Sequence, residues 1–288
     1  MPRDDRSRGL HSLGSEPDLK RSTSALPVPS FVQRWFAGLG RASVVTLDHA
    51  GGIGILSVGI IRSILQGRVQ FKDVLTQMYI MGIQSLPIVF VTASLAGIVT
   101  SQQGGYQLSA TSPGYLLGTL VVQSVVLELG PLLTAIVLVG RIGARITAEL
   151  GTMVVSEQID AFEALGRDPV AVLGAPRVIA GVITMPLLVG FADVIGIAAG
   201  MVAANLSTGL GTEAFLYGAR LFWHSWDLFY GFTKAVVFGL IIPLVSVHMG
   251  LRTKGGAAGV GLITTQAVMF MILALLIIDA MFPPLLLQ

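Results

Sequence analysis

The charged side chains in the middle of this sequence are concentrated in one block. Eight of them lie within it: Arg141, Arg145, Glu149, Glu157, Asp160, Glu163, Arg167 and Asp168. The chain on either side is almost uncharged, and the stretch from Val74 to Leu127 contains no Asp, Glu, Lys or Arg. Apolar stretches of this length belong in a bilayer, so the block between them is predicted to lie in water on one side of the membrane. There it would be available to a soluble partner.

A single carboxylate, Glu128, follows the uncharged stretch and lies beside Gly130 and Pro131. A charge inside a membrane span costs about 2.5–3.5 kcal/mol unless it faces a cavity or a partner. Two interpretations stay open. Either Glu128 faces a cavity, or its role is structural and its carboxyl group is neutral or satisfied by a backbone group that Pro131 frees.

Asp193 is a second acidic residue inside a predicted span. It could relay protons, or it could hydrogen-bond to a neighbouring helix within a closely packed stripe of small residues. That stripe repeats every fourth position, which favours close helix packing: Ala192, Gly196, Gly200 and Ala204.

The composition excludes several kinds of chemistry. Cysteine is absent, which excludes thiolate nucleophiles and disulfides, and the four histidines have no metal-ligand spacing. The glycines of GGAAGVG (255–261) are not followed by the Lys-Ser/Thr of a phosphate loop, so no ATP site is expected. The basic residues are scattered and the net charge is only +2, which disfavours nucleic-acid binding. No catalytic residue, metal site or cofactor is predicted on this chain.

The predicted fold is an all-α integral membrane protein, because 53% of the residues are hydrophobic and 12% are charged, against about a quarter charged in soluble domains. Residues 1–40 are predicted to be a disordered cytoplasmic tail and residues 41–288 a membrane domain. Five spans are predicted within that domain: 79–102, 116–139, 178–204, 231–251 and 260–282, with residues 140–177 as a cytoplasmic block.

An interfacial helix is predicted ahead of these spans, at residues 43–66. Only Ala50 to Ile61 is free of charge there, and a helix of that length reaches about 18 Å, short of a hydrocarbon core of about 30 Å. With the amino terminus in the cytoplasm and the carboxyl terminus outside, 16 of the 18 Lys and Arg residues fall inside. Arg220 and Lys234 are assigned to the outside. An aromatic belt is expected at the outer interface: Phe222, Trp223, Trp226, Phe229 and Tyr230.

A short amphipathic helix is predicted at Ser156–Asp168, where Ile159, Phe162 and Leu165 recur at every third position. Ser156 is the expected N-cap, and Gly166 and Pro169 are expected to end the helix. An Arg145–Glu149 pair is expected just before it. The helix is either an ordinary solvated loop helix or a docking element.

Several motifs resemble those of MlaE/YrbE-type permeases, the membrane subunits of ABC transporters that work with MCE proteins to move lipids. They are ELGP (128–131), GRIGARITAELGTM (140–153), SEQIDAFEALGRDP (156–169) and PR (176–177), together with QQGGYQL (102–108) and GAAGVG (256–261).

The resemblance implies that the short helix is a coupling helix that docks on an ATPase. Phe162 and Leu165 would face the groove of the ATPase, and acidic residues would meet its rim. The implied coupling residues are Glu157, Asp160, Phe162, Glu163, Leu165 and Gly166.

The resemblance also implies a lipid cavity near Glu128. Gln103 and Tyr106 would lie near its mouth, although an interfacial belt explains Tyr106 equally well. Leu95, Ile98 and Val99 could form its apolar wall, or they could face lipid. Leu127 is a departure, because the family often has Arg at this position, and headgroup recognition or the charge of the cavity could differ.

The implied function is that of a permease subunit in the plasma (inner) membrane. Its partners would be a cytoplasmic ABC ATPase dimer that holds ATP and Mg, a second identical or paralogous permease chain, extracytoplasmic MCE proteins and membrane lipid. The alternative is an ion- or proton-coupled secondary transporter that uses Glu128 and Asp193. A membrane scaffold without a cavity is a third possibility.

Overall fold

The computed structural model describes residues 31–108, 112–221 and 223–286, and the side chains from Leu47 onward. The chain divides into two compact units, Met1–Leu47 and Asp48–Gln288. Of the predicted tail, residues 1–30 lie outside the described residues, and the first helix begins at Phe31. Every site below lies in the second unit.

All regular structure in the described ranges is helical, as predicted. The α-helices are α1 (Phe31–Leu65), α2 (Phe71–Met81), α3 (Leu86–Gln107), α4 (Leu116–Ser124), α5 (Gly130–Leu138), α6 (Ala144–Val155), α7 (Gln158–Ala164), α8 (Ala175–Thr208), α9 (Thr212–Leu221), α10 (Ser225–Leu251) and α11 (Gly256–Leu286).

Within the residues that the structure describes, six helical stretches are long and apolar enough to cross a membrane: Leu47–Leu65, Phe71–Gln107, Leu116–Val155, Val170–Thr208, Ser225–Leu251 and Gly256–Leu286. Each predicted span lies within one of the last five. The first stretch falls within the helix predicted to be interfacial. The difference arises because the prediction rests on the uncharged centre of that helix, whereas the apolar stretch runs from Leu47 to Leu65 and includes Asp48 and Arg62.

The helices around the charged block are longer than predicted. Short π-helical turns at Val125–Leu129 and Val139–Gly143 join α4, α5 and α6 into one helical path, so Arg141, Arg145 and Glu149 lie on a helix and not in a loop. A third π-helical turn, Val170–Gly174, leads directly into α8. Both ends of the block therefore continue the helices of the neighbouring spans. Residues 156–169 separate these two long helical stretches.

The first predicted span is interrupted near its start. The helix breaks at Gly82, and the 3-10 turn Ile83–Ser85 connects α2 to α3. Pro87 lies in the first turn of α3, where its missing N–H leaves no intrahelical bond unmade. The guanidinium of Arg141 donates a hydrogen bond to the carbonyl of Gln84 in this turn, which ties the break to the neighbouring helix.

Close packing of α3 against α8 forms part of the core. The predicted small-residue stripe of α8 is buried, and Gly97 of α3 lies so close to the carbonyl of Gly196 that a Cβ at position 97 would clash with it. Gly200 is also in contact, since a Cβ there would lie 3.1 Å from the Gly97 carbonyl oxygen. The packing interpretation of the stripe is confirmed, because small residues permit this backbone approach.

Candidate functional site

Glu128 lies on the first π-helical turn of the Leu116–Val155 stretch. The turn immediately precedes Gly130 and Pro131. A proline has no N–H for the carbonyl four residues earlier, and its ring crowds that carbonyl, so the helix must deviate from α geometry here. Widened turns of this kind are frequent at functional sites. The distortion frees the carbonyl of Leu127 for a partner outside its own helix.

That partner is Lys234 of α10, whose side chain is 0% exposed. Its Nζ donates to the Leu127 carbonyl at 3.4 Å and lies 2.8 Å from Oε2 of Glu128. Oδ1 of Asp279, on α11, lies 2.5 Å from the same nitrogen. One ammonium group therefore connects three of the apolar helices. We call Glu128, Lys234 and Asp279 the charged cluster.

The charged cluster compensates a charge that could not otherwise remain in an apolar interior. A lysine inside a membrane protein is expected to face the bundle interior and to pair with carboxylates or backbone carbonyls. Both kinds of partner are present here. The face of the Tyr230 ring adds a cation–π contact, with 5.6 Å between its centroid and Nζ. With both carboxylates ionised, the cluster carries one negative charge in excess.

A cavity of about 730 Å³ opens beside Glu128, a volume typical of ligand pockets, which measure about 300–1,000 Å³. Its wall combines aliphatic side chains with a few polar groups. The lining residues are Thr92, Leu95, Ala96, Val99, Thr100, Gln103, Ser124, Glu128, Leu129 and Leu133. Glu128 is 43% exposed, so its carboxylate can contact both Lys234 and the cavity.

Four of the predicted cavity residues share this cavity: Leu95, Val99, Gln103 and Glu128. The other three lie elsewhere. Ile98 lines a separate groove between α3 and α8. Tyr106 is 92% exposed and is not among the lining residues. Leu127 contributes its carbonyl to Lys234 and does not line the cavity.

Lys234 is a site residue that the sequence prediction does not include. The sequence predicts only that it lies outside, whereas the structure buries its side chain within α10 and pairs it with Glu128 and Asp279. A usable signal existed, since Lys234 lies inside the span predicted at 231–251 and an ionisable residue in a span marks a candidate functional site.

Tyr230 also differs from its prediction as a belt residue. It is buried and packs edge-on against Phe282, with 5.9 Å between ring centroids. Trp223, Trp226 and Phe229 are exposed. Phe222 lies outside the described residues.

Asp193 is buried on α8, next to Ala192 of the small-residue stripe, and its Oδ1 lies against Gly130. That oxygen has no hydrogen-bond partner among the described residues, so the expected bond to a neighbouring helix is not formed through it. Groups of three or more His, Cys, Asp or Glu that could hold a metal ion are likewise absent from the described part of the chain.

The predicted coupling helix is present but shorter than predicted. It is α7, Gln158–Ala164, and none of its residues is buried. Ser156 is not its N-cap, because the Ser156 hydroxyl donates back to the carbonyl of Thr152 and closes α6. Glu157 occupies the N-cap position in the left-handed conformation, with φ 58°. Gly166, with φ 71°, follows the helix as predicted.

The side chains around α7 form an accessible surface. Glu157, Asp160, Glu163 and Gly166 are exposed, and Leu165 is 77% exposed. Phe162 is half-buried, and the guanidinium of Arg167 lies 5.8 Å from its ring centroid. An exposed leucine beside a partly covered phenylalanine and three carboxylates is chemically suited to bind a protein groove with a polar rim.

The arms on either side of α7 are joined by an ion pair. In the described residues Glu149 pairs with Arg177, with 2.7 Å between Oε1 and Nη2, and not with Arg145 as predicted. Asp168 caps the second arm, since its Oδ1 accepts the N–H of Val170 at 2.9 Å.

Comparison with known proteins agrees with this architecture. The family model described as "Permease MlaE" matches residues 74–284. A probable ABC transporter permease protein of Synechocystis is 38% identical over 214 residues, which cover 74% of this chain and 81% of the relative. The intermembrane phospholipid transport system permease protein MlaE of Haemophilus influenzae is 31% identical over 250 residues, covering 86% and 95%. The chloroplastic protein TRIGALACTOSYLDIACYLGLYCEROL 1 of Arabidopsis thaliana is 32% identical over 227 residues, covering 79% and 65%. The chain therefore belongs to the MlaE permease family, as an ABC transporter permease subunit.

Proposed function

We propose that this chain is the permease subunit of an ABC-type lipid transporter of the plasma (inner) membrane, and that the cavity beside Glu128 receives the lipid. The observation that carries this proposal is the composition of the cavity wall. Leu95, Val99 and Leu133 suit an acyl chain, whereas Glu128 and Gln103 suit a polar headgroup. An amphipathic ligand satisfies both surfaces at once.

The charged cluster favours this function over a secondary transporter that uses Glu128 and Asp193. A carrier carboxylate must gain and lose its ion as the site opens to each side. Glu128 is instead held by Lys234, which also binds Asp279 and the Leu127 carbonyl. This arrangement supports a fixed polar wall and not a mobile counter-ion.

Energy is proposed to enter through α7, which would dock on a separate ATPase that binds ATP and Mg. Two ATPase subunits that close on ATP would draw the coupling helices of two permease chains together and narrow the cavity between them. Displacement of a short rigid element that is joined directly to two long helices is a recognised means of switching a two-state protein.

The remaining assembly follows the same proposal. A second permease chain, identical or paralogous, would face the cavity, and MCE proteins would exchange lipid with it on the outer side. The amino terminus would lie in the cytoplasm and the carboxyl terminus outside, with five spans after an interfacial first helix. Placing Arg141, Arg145, Arg167 and Arg177 on the inner side is consistent with the positive-inside tendency.

The coupling role is tested by changing Phe162→Asp and Leu165→Asp together. The ATPase should no longer co-purify with the permease, and ATP-driven lipid transfer should be lost. Tyr217→Asp is the control, because Tyr217 is an exposed aromatic residue on a different helix, α9. Lipid transfer that persists without the ATPase and follows the proton gradient would favour the secondary transporter.

Crosslinking provides a direct check of the contact. Photoreactive groups placed at Glu157 and Glu163 should form adducts with the ATPase chain in the assembled complex. A complex that holds an ATPase but yields no adduct from either position would place the contact elsewhere.

A further inference from the structure

The ion pair between Glu149 and Arg177 lies at the base of the hairpin that carries α7. Nη2 of Arg177 donates to Oε1 of Glu149 across 28 positions of sequence. Nη1 of the same guanidinium donates to the carbonyl of Leu173 at 2.8 Å. One side chain therefore connects α6, the π-helical turn Val170–Gly174 and the first turn of α8.

One partner of this ion pair is buried, and the other is about half-exposed. The Arg177 side chain is 3% exposed and that of Glu149 is 39% exposed. Exposed pairs contribute little because water competes for both partners. Removing the charge of Glu149 would leave the buried charge of Arg177 without its carboxylate and weaken the connection between the two arms.

The helix at the tip of the hairpin is held mainly through its two ends. It buries no residue, and it is bounded by left-handed residues at Glu157 and Gly166. A force applied to α7 therefore reaches the rest of the chain mainly through α6 and through the turn before α8. If these two arms could slide past each other, displacement of α7 would be absorbed at the hairpin.

We propose that Glu149 and Arg177 are positioning residues that make α6 and α8 move as one body when α7 is displaced. The inference rests on the proposed function of α7 as the contact with the ATPase. It adds that the efficiency of coupling, and not the binding of the ATPase, depends on this ion pair. When the pair is broken, the ATPase should still hydrolyse ATP but should move less lipid for each ATP.

The test uses the full complex of permease, ATPase and MCE partner in liposomes, with a fluorescent phospholipid as the probe. Glu149→Gln preserves the shape of a half-exposed side chain. The variant should retain the ATPase and its ATP hydrolysis, while the phospholipid moved per ATP falls about tenfold, within the range of typical couplings between sites. Arg177→Lys keeps the charge but loses the forked guanidinium donor. The phospholipid that this variant moves per ATP should therefore lie between the values of Glu149→Gln and the unchanged protein. Glu213→Gln, at an exposed position of α9, is the control and should match the unchanged protein.

A spectroscopic measurement separates positioning from a merely structural role. The chain has no cysteine, so spin labels can be attached to Thr152→Cys on α6 and Val172→Cys on the other arm. Their distance distribution should be narrow with and without ATP, and it should broaden in Glu149→Gln.

The possible results distinguish the two proposals. A normal transport ratio with an unchanged label distance in Glu149→Gln would overturn the positioning role. A parallel fall of thermal stability, ATP hydrolysis and transport would overturn it as well, because it would show a structural role. Failure of the unchanged permease to retain an ATPase would instead overturn the proposed function.

Discussion

Lys234 and Glu128 form an ion pair across the interior of this permease, with 2.8 Å between Nζ and Oε2. The two residues are 106 positions apart in the sequence and lie on different helical stretches. Because Asp279 binds the same nitrogen, Lys234 holds α11 as well as the turn that carries Glu128. The lysine is thus the common partner of two carboxylates that would otherwise repel each other.

Replacing Lys234→Met should be strongly destabilising. It leaves Glu128 and Asp279 without their shared cation, and breaking a buried ion pair typically costs about 3–5 kcal/mol. Thermal unfolding of the purified protein in detergent measures the effect. Lys72→Met, the same change at an exposed position of α2, should leave the melting temperature nearly unchanged. Equal melting temperatures for the two variants would contradict a stabilising role for Lys234.

Replacing Glu128→Gln should affect lipid binding more than folding. Lys234 keeps Asp279 as a partner, and Glu128 is half-exposed, so the free energy of unfolding should fall by only about 1 kcal/mol. The cavity would lose its carboxylate, and the amount or headgroup composition of co-purified lipid should change. Native mass spectrometry after gentle extraction measures both. Bound lipid identical to that of the unchanged protein would show that the carboxylate does not contact the lipid.

Replacing Gly97→Ala should disrupt the crossing of α3 and α8. The added Cβ would overlap the carbonyl of Gly196, and overpacking of this kind costs roughly 1–3 kcal/mol. Gly54→Ala is the matched control, because it is also inside a helix and a Cβ there meets nothing within 4 Å. The control should be neutral, or should stabilise the helix by up to about 1 kcal/mol. The prediction is wrong if both variants unfold at the same temperature.

Replacing Glu157→Gly should relieve strain at the start of α7. Among the non-glycine residues that the structure describes, Glu157 is the one with a positive φ, at 58°. This left-handed conformation costs a residue with a side chain about 1–2 kcal/mol. The glycine variant should therefore be more stable by up to about 1 kcal/mol, and Glu157→Val should be less stable. Denaturant unfolding of the isolated permease measures the difference. Destabilisation by glycine would mean that the carboxylate contributes more than the backbone conformation costs.

Much of the architecture could be predicted from local patterns. Long uncharged stretches separated by a charged block indicated an all-helical membrane protein. The isolated carboxylate of Glu128 indicated either a cavity or a structural role, and the structure places it in the wall of a cavity. One difference concerns a helix end. The second span is predicted to end at residue 139, and the helix that contains it continues through Arg141, Arg145 and Glu149 to Val155, because charges at the end of a span do not prevent the helix from continuing.

Local sequence patterns could not predict which charged residues form ion pairs with each other. The spacing of Arg145 and Glu149 indicated a pair within one helix, whereas Glu149 pairs with the distant and more deeply buried Arg177. The position of Lys234 near the start of a span did not indicate that the carbonyl freed near Pro131 and two carboxylates converge on it. Each of these pairings depends on which helices are neighbours.

By itself, the sequence determined the helical class, the apolar stretches and the family signature, because hydrophobicity and the cost of a charge in lipid are properties of neighbouring residues. The tertiary structure alone decided that Glu128, Lys234 and Asp279 meet and that Arg177 closes the hairpin around α7. Its close helix crossings, such as that of Gly97 with Gly196, bring distant side chains to within hydrogen-bonding distance. The spacing of residues along the sequence does not indicate which distant side chains will be brought together.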